Sequence, residues 1–336
     1  MRGRSAVDET NTSERNLMRM RSLGTFIALA LGASGCATSA KAPASTRVAT
    51  GSDGTAVLLL AGEDDFARLD LGPLEPASIT ELRAPGGAHV LRGFPARPRT
   101  GESRDHPEQT GMWVAHADFD GHDVWRDGGA FATEHTLRLT RDGAARVTAR
   151  MDWRTPDGER VCGERRTYTF RATPDRRMVD VVVRIEATGS GLALGDAKDA
   201  FFAMRLSDEF QLRTAEAEAF SSKGARGDRL YGDRARWVAC VGTLAGEDGA
   251  AAPVTVCILD HPGNAQHPPA WNARPYGLVA ANPFAVTAFA DDGAPLQPTV
   301  LDAYEMMTLR YRVVLVRERL DFNAAEALWT EYARAE

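Results

Sequence analysis

Lysine is nearly missing. Of 40 basic residues only Lys41, Lys198 and Lys223 are lysine, so arginine is the default cation and each lysine stands out. Positive charge is not in excess either: the formal net charge is −6. A nucleic-acid partner asks for a basic face and is not expected. No apolar run reaches the roughly 20 residues that a bilayer-spanning helix needs. Cysteine is scarce, at four, and none stands in C-x-x-C spacing, so a thiolate zinc site is not expected. With Cys36 set aside, Cys162, Cys240 and Cys257 read as three buried apolar thiols, or as one disulfide and a remainder. There is no βαβ rhythm and no repeat of fixed period.

What is present begins with a leader. "MRMRSLGTFIALALGASGC" sets Arg19 and Arg21 before an apolar run, Leu23 to Leu31, followed by small residues and Cys36. A basic start, a short apolar run and a small-residue cleavage site make a secretory signal. A cysteine directly after Ala-Ser-Gly resembles a bacterial lipobox, in which that cysteine carries the lipid. We therefore expect residues 1–36 to be a signal peptide with Cys36 lipidated. Residues 37–54, small and polar, would be a flexible tether, and residues 55–336 a single domain. The address is the cell envelope, facing the periplasm.

The domain reads as all-β. From Glu134 the pattern has period two, broken at Arg141-Asp-Gly, Thr155-Pro-Asp-Gly and Thr173-Pro-Asp. Such turn residues between alternating segments are strong hairpin signals. Leu137, Leu139, Val147, Ala149, Met151 and Trp153 are expected on one buried face; Val179, Val181, Val183 and Ile185 repeat the arrangement. Further strands are expected at Val57–Leu60, Ser78–Arg83, Met112–Ala117, Val254–Leu259 and Glu305–Glu318. Only "DFNAAEALWTEYARAE" looks helical, with Asn323 as N-cap and Ala325, Leu328, Trp329 and Tyr332 as an apolar stripe. The fold class is a large antiparallel β-sandwich with a short C-terminal helix.

Two stretches carry chemistry. "DHPEQTGMWVAHADFDGHDVW", Asp105 to Trp125, concentrates His106, His116 and His122 with carboxylates and two tryptophans. Histidine titrates near neutrality and also ligates metals. His116 and Asp118 lie two apart on an expected strand and share a face. His106 or His116 is the candidate acid–base, with Glu108, Asp118 or Glu305 as the partner carboxylate. No H-x-H or H-E-x-x-H spacing is present, so no metal and no cofactor is expected. The second stretch, "DHPGNAQHPPAWNARPYG", is proline-rich and presents Asp260, His261, Asn264, Trp271, Arg274 and Tyr276. Aromatic faces beside amide, guanidinium and carboxylate suit a sugar ring, whose C–H groups lie on the ring while its hydroxyls take directional bonds. Lys198, between Asp196 and Asp199, and Arg205, inside an apolar strand, complete the candidate substrate-binding set. The two stretches are expected to form opposite walls of one cleft.

"RDHPEQTGMWVAHADFDGHDVW", "LGDAKDAFFAMRL", "RWVACVG" and "LDHPGNAQHPPAWNARPYGLVAANPF" come in one order across about residues 78–317, and the set resembles the methane oxygenase PmoA family of bacterial proteins. The resemblance implies a mutarotase-like supersandwich and carbohydrate metabolism. Relatives often read Asp-His-Pro-His-His where this chain has Asp105-His106-Pro107-Glu108-Gln109, so two imidazoles are replaced. Three functions stay open: a carbohydrate-active protein of mutarotase or glycosidase type, a non-catalytic glycan-binding lipoprotein with a saccharide as its partner, and the metal-dependent oxygenase that the family name implies.

Overall fold

The computed structural model describes residues 46–51, 54–72, 76–127, 129–199, 201–290 and 295–335. The expected signal peptide and Cys36 lie outside these residues.

Two eight-stranded sheets make the architecture. The first runs β1 (Thr46–Thr50), β2 (Ala56–Ala61), β3 (Asp64–Asp70), β4 (Ser78–Leu82), β5 (Met112–Val114), β11 (Phe202–Arg205), β16 (Leu278–Asn282) and β15 (Ala270–Ala273). The second runs β12 (Glu218–Ser221), β13 (Trp237–Ala245), β14 (Ala251–Asp260), β18 (Met306–Val316), β9 (Arg176–Glu186), β8 (Arg160–Ala172), β7 (Ala145–Arg154) and β6 (Gly129–Leu139). A small pair, β10 (Leu192–Leu194) with β17 (Thr299–Leu301), stands apart. Neighbouring strands pair antiparallel, as the many short hairpins require. β1 lies inside the stretch expected as tether and pairs with β2 in register from Thr46 opposite Ala61 to Thr50 opposite Val57.

The sheets pack face to face over one apolar core. Phe66 of the first sheet meets Phe170 of the second edge-on at 5.7 Å, and Phe202 stacks on Tyr311 at 4.4 Å. The expected inward residues of β7 and β9 are buried. On β6 the expected face is not kept: Leu137 is half-buried and Leu139 is 61% exposed. It sits at the turn end of β6, an edge strand with a bulge between Ala132 and Glu134, where the alternation loses its footing.

The helix α1 (Phe322–Ala333) covers the outer face of the second sheet. Ala325, Leu328 and Tyr332 pack there against Phe220, Trp237 and Val314. β13, β14 and β18 are therefore apolar on both faces, which is why "VTVCIL" and "RVVLV" run without alternation. The cap is Asp321, whose carboxylate accepts from the Ala324 amide at 2.8 Å, and not Asn323, which lies within the first turn.

Candidate functional site

β4 pairs with β5, and the chain on either side of β5 folds into a cleft of about 630 Å³. One wall comes from the histidine-rich stretch: Pro107, Glu108, Thr110, Trp113, Trp125 and Arg126. The other comes from Asp70, Ser78, Thr80, Pro95, Ala130 and Trp153. Trp113 and Trp125 stack with ring centroids 6.0 Å apart, and the Arg126 guanidinium lies 4.6 Å over Trp125. Arg126 is tied to Asp123 at 2.7 Å and to Asp199 at 3.1 Å. The Trp125 indole donates to the Glu108 carbonyl at 3.2 Å. The Trp113 indole N–H is buried in the cleft wall and has no acceptor among the described residues.

The floor conceals an ion pair that the sequence reading missed. Glu164 and Arg166 alternate inward on β8 and meet at 2.5 Å with both side chains fully buried. Glu164 also accepts from the Trp153 indole at 2.8 Å, and Arg166 reaches the Ala77 carbonyl at 3.4 Å. Both Trp153 and Ala77 line the cleft. The available signal was "GERRTYTF", where charge falls on the inward parity of a strand.

At the cleft rim, His106 Nδ1 lies 3.1 Å from Glu108 Oε1, and its Nε2 lies 3.8 Å from Asp105 Oδ2. The His106 ring stacks on Tyr276 at 5.2 Å. Arg205, fully buried, is bonded to Asp105 at 2.7 Å and lies 4.5 Å over the same Tyr276 ring. Burial works to raise the Asp105 carboxyl, but the hydrogen bond and charge of Arg205 and the charge of Arg92 hold it below the usual value. Four of the expected site residues, His106, Glu108, Arg205 and Tyr276, are thus brought together.

The others are not. His116 is buried, packed on Phe119 and Phe284, with Nε2 on the Gly195 carbonyl at 2.8 Å; burial lowers its pKa. Asp118 caps the turn to Gly121 at 2.8 Å. Glu305 accepts from the Asp302 amide at 2.8 Å in a turn entering β18. Trp271 is fully buried in the inter-sheet core, with its N–H on the Ala235 carbonyl at 2.7 Å, so it offers no face to a ligand. Arg274 is exposed over Tyr231 at 4.6 Å. Lys198 is exposed, and its carbonyl accepts from Asn272 at 3.2 Å; neighbouring Asp196 is taken up by the amides of Thr287, Ala288 and Gln297.

Asp260, His261 and Asn264 gather beside α1 instead. Asp260 is fully buried and accepts from Asn264 at 2.6 Å and meets His267 Nδ1 at 2.5 Å. Its carbonyl accepts from the Trp329 indole at 2.9 Å, and His261 lies edge-on to Tyr332. Burial raises the Asp260 carboxyl despite these donors. The proline-rich stretch therefore serves three places, the α1 side, the core and the His106 stack, and supplies none of the residues lining the cleft. Among the described residues no three His, Cys, Asp or Glu side chains are grouped to hold a metal ion. Cys162, Cys240 and Cys257 are all free and buried, and burial raises each thiol.

A family described as "Family of unknown function (DUF6807)" matches residues 69–330. No curated protein matches the chain. Similar solved structures include the galactosidase domain of alpha-galactosidase-sucrose kinase, AgaSK, at 10% identity and TM-score 0.42 over 81% of this chain and 42% of that one. The GH36 alpha-galactosidase AgaB from Geobacillus stearothermophilus is similar at 14% identity and TM-score 0.43, over 80% of this chain and 40% of that one. A putative aldose 1-epimerase from Klebsiella pneumoniae subsp. pneumoniae MGH 78578 follows at 8% identity and TM-score 0.41, over 86% and 87%. The chain thus spans about two fifths of the length of the two galactosidases it matches.

Proposed function

The chain belongs to this family of unknown function, so its activity has to be argued from its own cleft, and we propose that the cleft binds a saccharide. The observation that carries this reading is the indole pair. Trp113 and Trp125 stack along one wall, and the Trp113 N–H points to no protein acceptor among the described residues. A sugar ring offers C–H groups to the apolar faces of the indoles. Ser78, Thr80, Glu108 and Arg126 supply further polar partners around the same space.

His106 with Glu108 forms the acid–base pair at the rim. In a mutarotase-type ring opening, one group gives a proton to the ring oxygen as the C1–O bond breaks. The other takes the anomeric hydroxyl proton as the carbonyl forms, so no net proton is consumed. A second reading, binding without turnover, is favoured by Gln109. It is buried and bonded to Arg205 at 2.6 Å, and leaves His106 as the single imidazole of the Asp105–Gln109 segment. We further propose that the protein is exported and anchored through lipidated Cys36.

The test is a thermal-shift screen of mono- and disaccharides with and without EDTA, followed by calorimetry on the best ligand. Trp125→Ala removes one indole face from the cleft wall and should weaken binding about fivefold, the equivalent of about 1 kcal/mol. Glu108→Gln should leave binding measurable and lower any turnover by about a hundredfold. If no saccharide shifts the melting temperature, the cleft reading fails.

A further inference from the structure

We propose that Arg92, Arg205 and Tyr276 are positioning residues that fix the plane and tautomer of the His106 imidazole, holding its Nδ1–H on Glu108 and turning its Nε2 edge outward. The proposal rests on the reading of His106–Glu108 as the acid–base pair.

The backbone gives the first argument. His106 has φ +49°, in the left-handed region where a residue other than glycine is disfavoured. Such a conformation persists where its surroundings over-determine it. Here they do. Arg92, fully buried, gives Nη1 to the Asp105 carbonyl at 2.7 Å and to its carboxylate at 2.8 Å. Its Nη2 goes to the carbonyls of His106 at 2.9 Å and Gln109 at 3.2 Å. One guanidinium therefore holds three carbonyls of a five-residue turn. Arg205 holds the same turn from the other side through Asp105 and the Gln109 amide oxygen.

The ring gives the second argument. Guanidinium, phenol and imidazole form three layers: Arg205 Cζ lies 4.5 Å over the Tyr276 ring, and that ring lies 5.2 Å from His106 at an interplanar angle of 18°. Stacking sets the imidazole plane. The two ring edges then face unequal acceptors, Glu108 at 3.1 Å on Nδ1 and Asp105 at 3.8 Å on Nε2, so the proton belongs on Nδ1.

The third argument is cost. Among the described residues the two buried guanidiniums share one close carboxylate, Asp105, and burial together with the Arg205 charge lowers the Arg92 pKa. Buried ions are poor devices for stability alone. Presenting an exposed imidazole in one orientation gives these two a purpose.

The experiment is nuclear magnetic resonance of the intact chain labelled with ¹⁵N at histidine, with His106 assigned by His106→Gln. In the wild type the neutral His106 ring should be predominantly the Nδ1–H tautomer. Tyr276→Leu should shift the population towards Nε2–H, as should Glu108→Ala, while Tyr276→Phe, which keeps the ring, should retain Nδ1–H. Arg205→Lys should behave as Tyr276→Leu does. Glu108→Ala alters a partly exposed side chain and leaves the core untouched, so it serves even if the arginine variant does not fold. An Nε2–H majority in the wild type, or an unchanged Nδ1–H preference in Tyr276→Leu, overturns the proposal. The readout needs no saccharide, so its failure is told apart from a negative binding screen.

Discussion

Trp271 and Trp125 are both buried in the same core, yet only Trp125 lines the cleft, although both follow polar, turn-forming residues in the sequence. Trp271 sits on β15, paired with β16, and the inter-sheet core closes over it. Trp125 follows a loop and lies along the cleft. Nothing within a few residues of either distinguishes them, because what a side chain faces is decided by which strand lies alongside. The same holds for His89, which carried no signal in the sequence. Burial, and then the charges of Arg83 and Arg99, push its imidazole down to about 4 from the usual 6.5. Between these values the unfolded chain binds a proton at His89 that the folded chain refuses. Stability therefore rises with pH across that window; the contribution is complete above about 6.5 and lost as pH falls towards 4. His116 and His261 are lowered too and add slope of the same sign. The expected outcome is that His89→Gln flattens the fall in melting temperature from pH 6.5 to 4 without abolishing it, measured at constant ionic strength. An unaltered slope would count against the burial of His89.

At the scale of elements, legibility followed how many faces a strand buries. β7 and β9 alternate between core and solvent, so Val147 to Trp153 and Val179 to Ile185 were readable from period two alone. β13, β14 and β18 are covered by the first sheet on one face and by α1 on the other, and read only as apolar runs. Strands of three or four residues, such as β10, β12 and β15, are too short to show a period at all. The helix was readable from its stripe, but its first residue was not. Asp321 and Asn323 are both acceptable caps, and the choice is made by where the backbone leaves β18. Asp321→Ala should cost about 1 kcal/mol of unfolding free energy, while Asn323→Ala, inside the first turn, should be near neutral. Urea titrations of the two variants decide it; the reverse order would reassign the cap.

At the scale of the molecule, the cleft joins Asp70, the start of β4, Pro95, the segments at Pro107–Ala115 and Val124–Arg126, the start of β6, and Trp153. Half of it was visible as a concentration of histidines and tryptophans. The other half, Ser78, Thr80, Ala130 and Trp153, consists of ordinary strand residues whose role comes from pairing β4 with β5 and from Trp153 lying on β7, which faces the first sheet. The proline-rich stretch looked like a single wall because its residue types are those of a sugar site. In the fold its first part secures α1, Trp271 fills the core, and only Tyr276 turns towards His106. The placement of the whole molecule in the cell follows a different kind of signal, one that no packing argument reaches. Cys36 directly follows Ala-Ser-Gly, after an apolar run too short to span a bilayer, and is the residue proposed to carry the lipid. Two signals normally secure a stable anchor, and a diacylated lipoprotein cysteine supplies more than one chain at a single residue. In a bacterial host the wild type should therefore sediment with membranes and resist extraction by high salt, which removes only electrostatic binders. Cys36→Ser should appear in the soluble periplasmic fraction with its melting temperature unchanged, since Cys36 lies ahead of the first strand of the domain. A wild type already soluble after lysis, or a serine variant that remains membrane-bound in high salt, removes the anchor from the account.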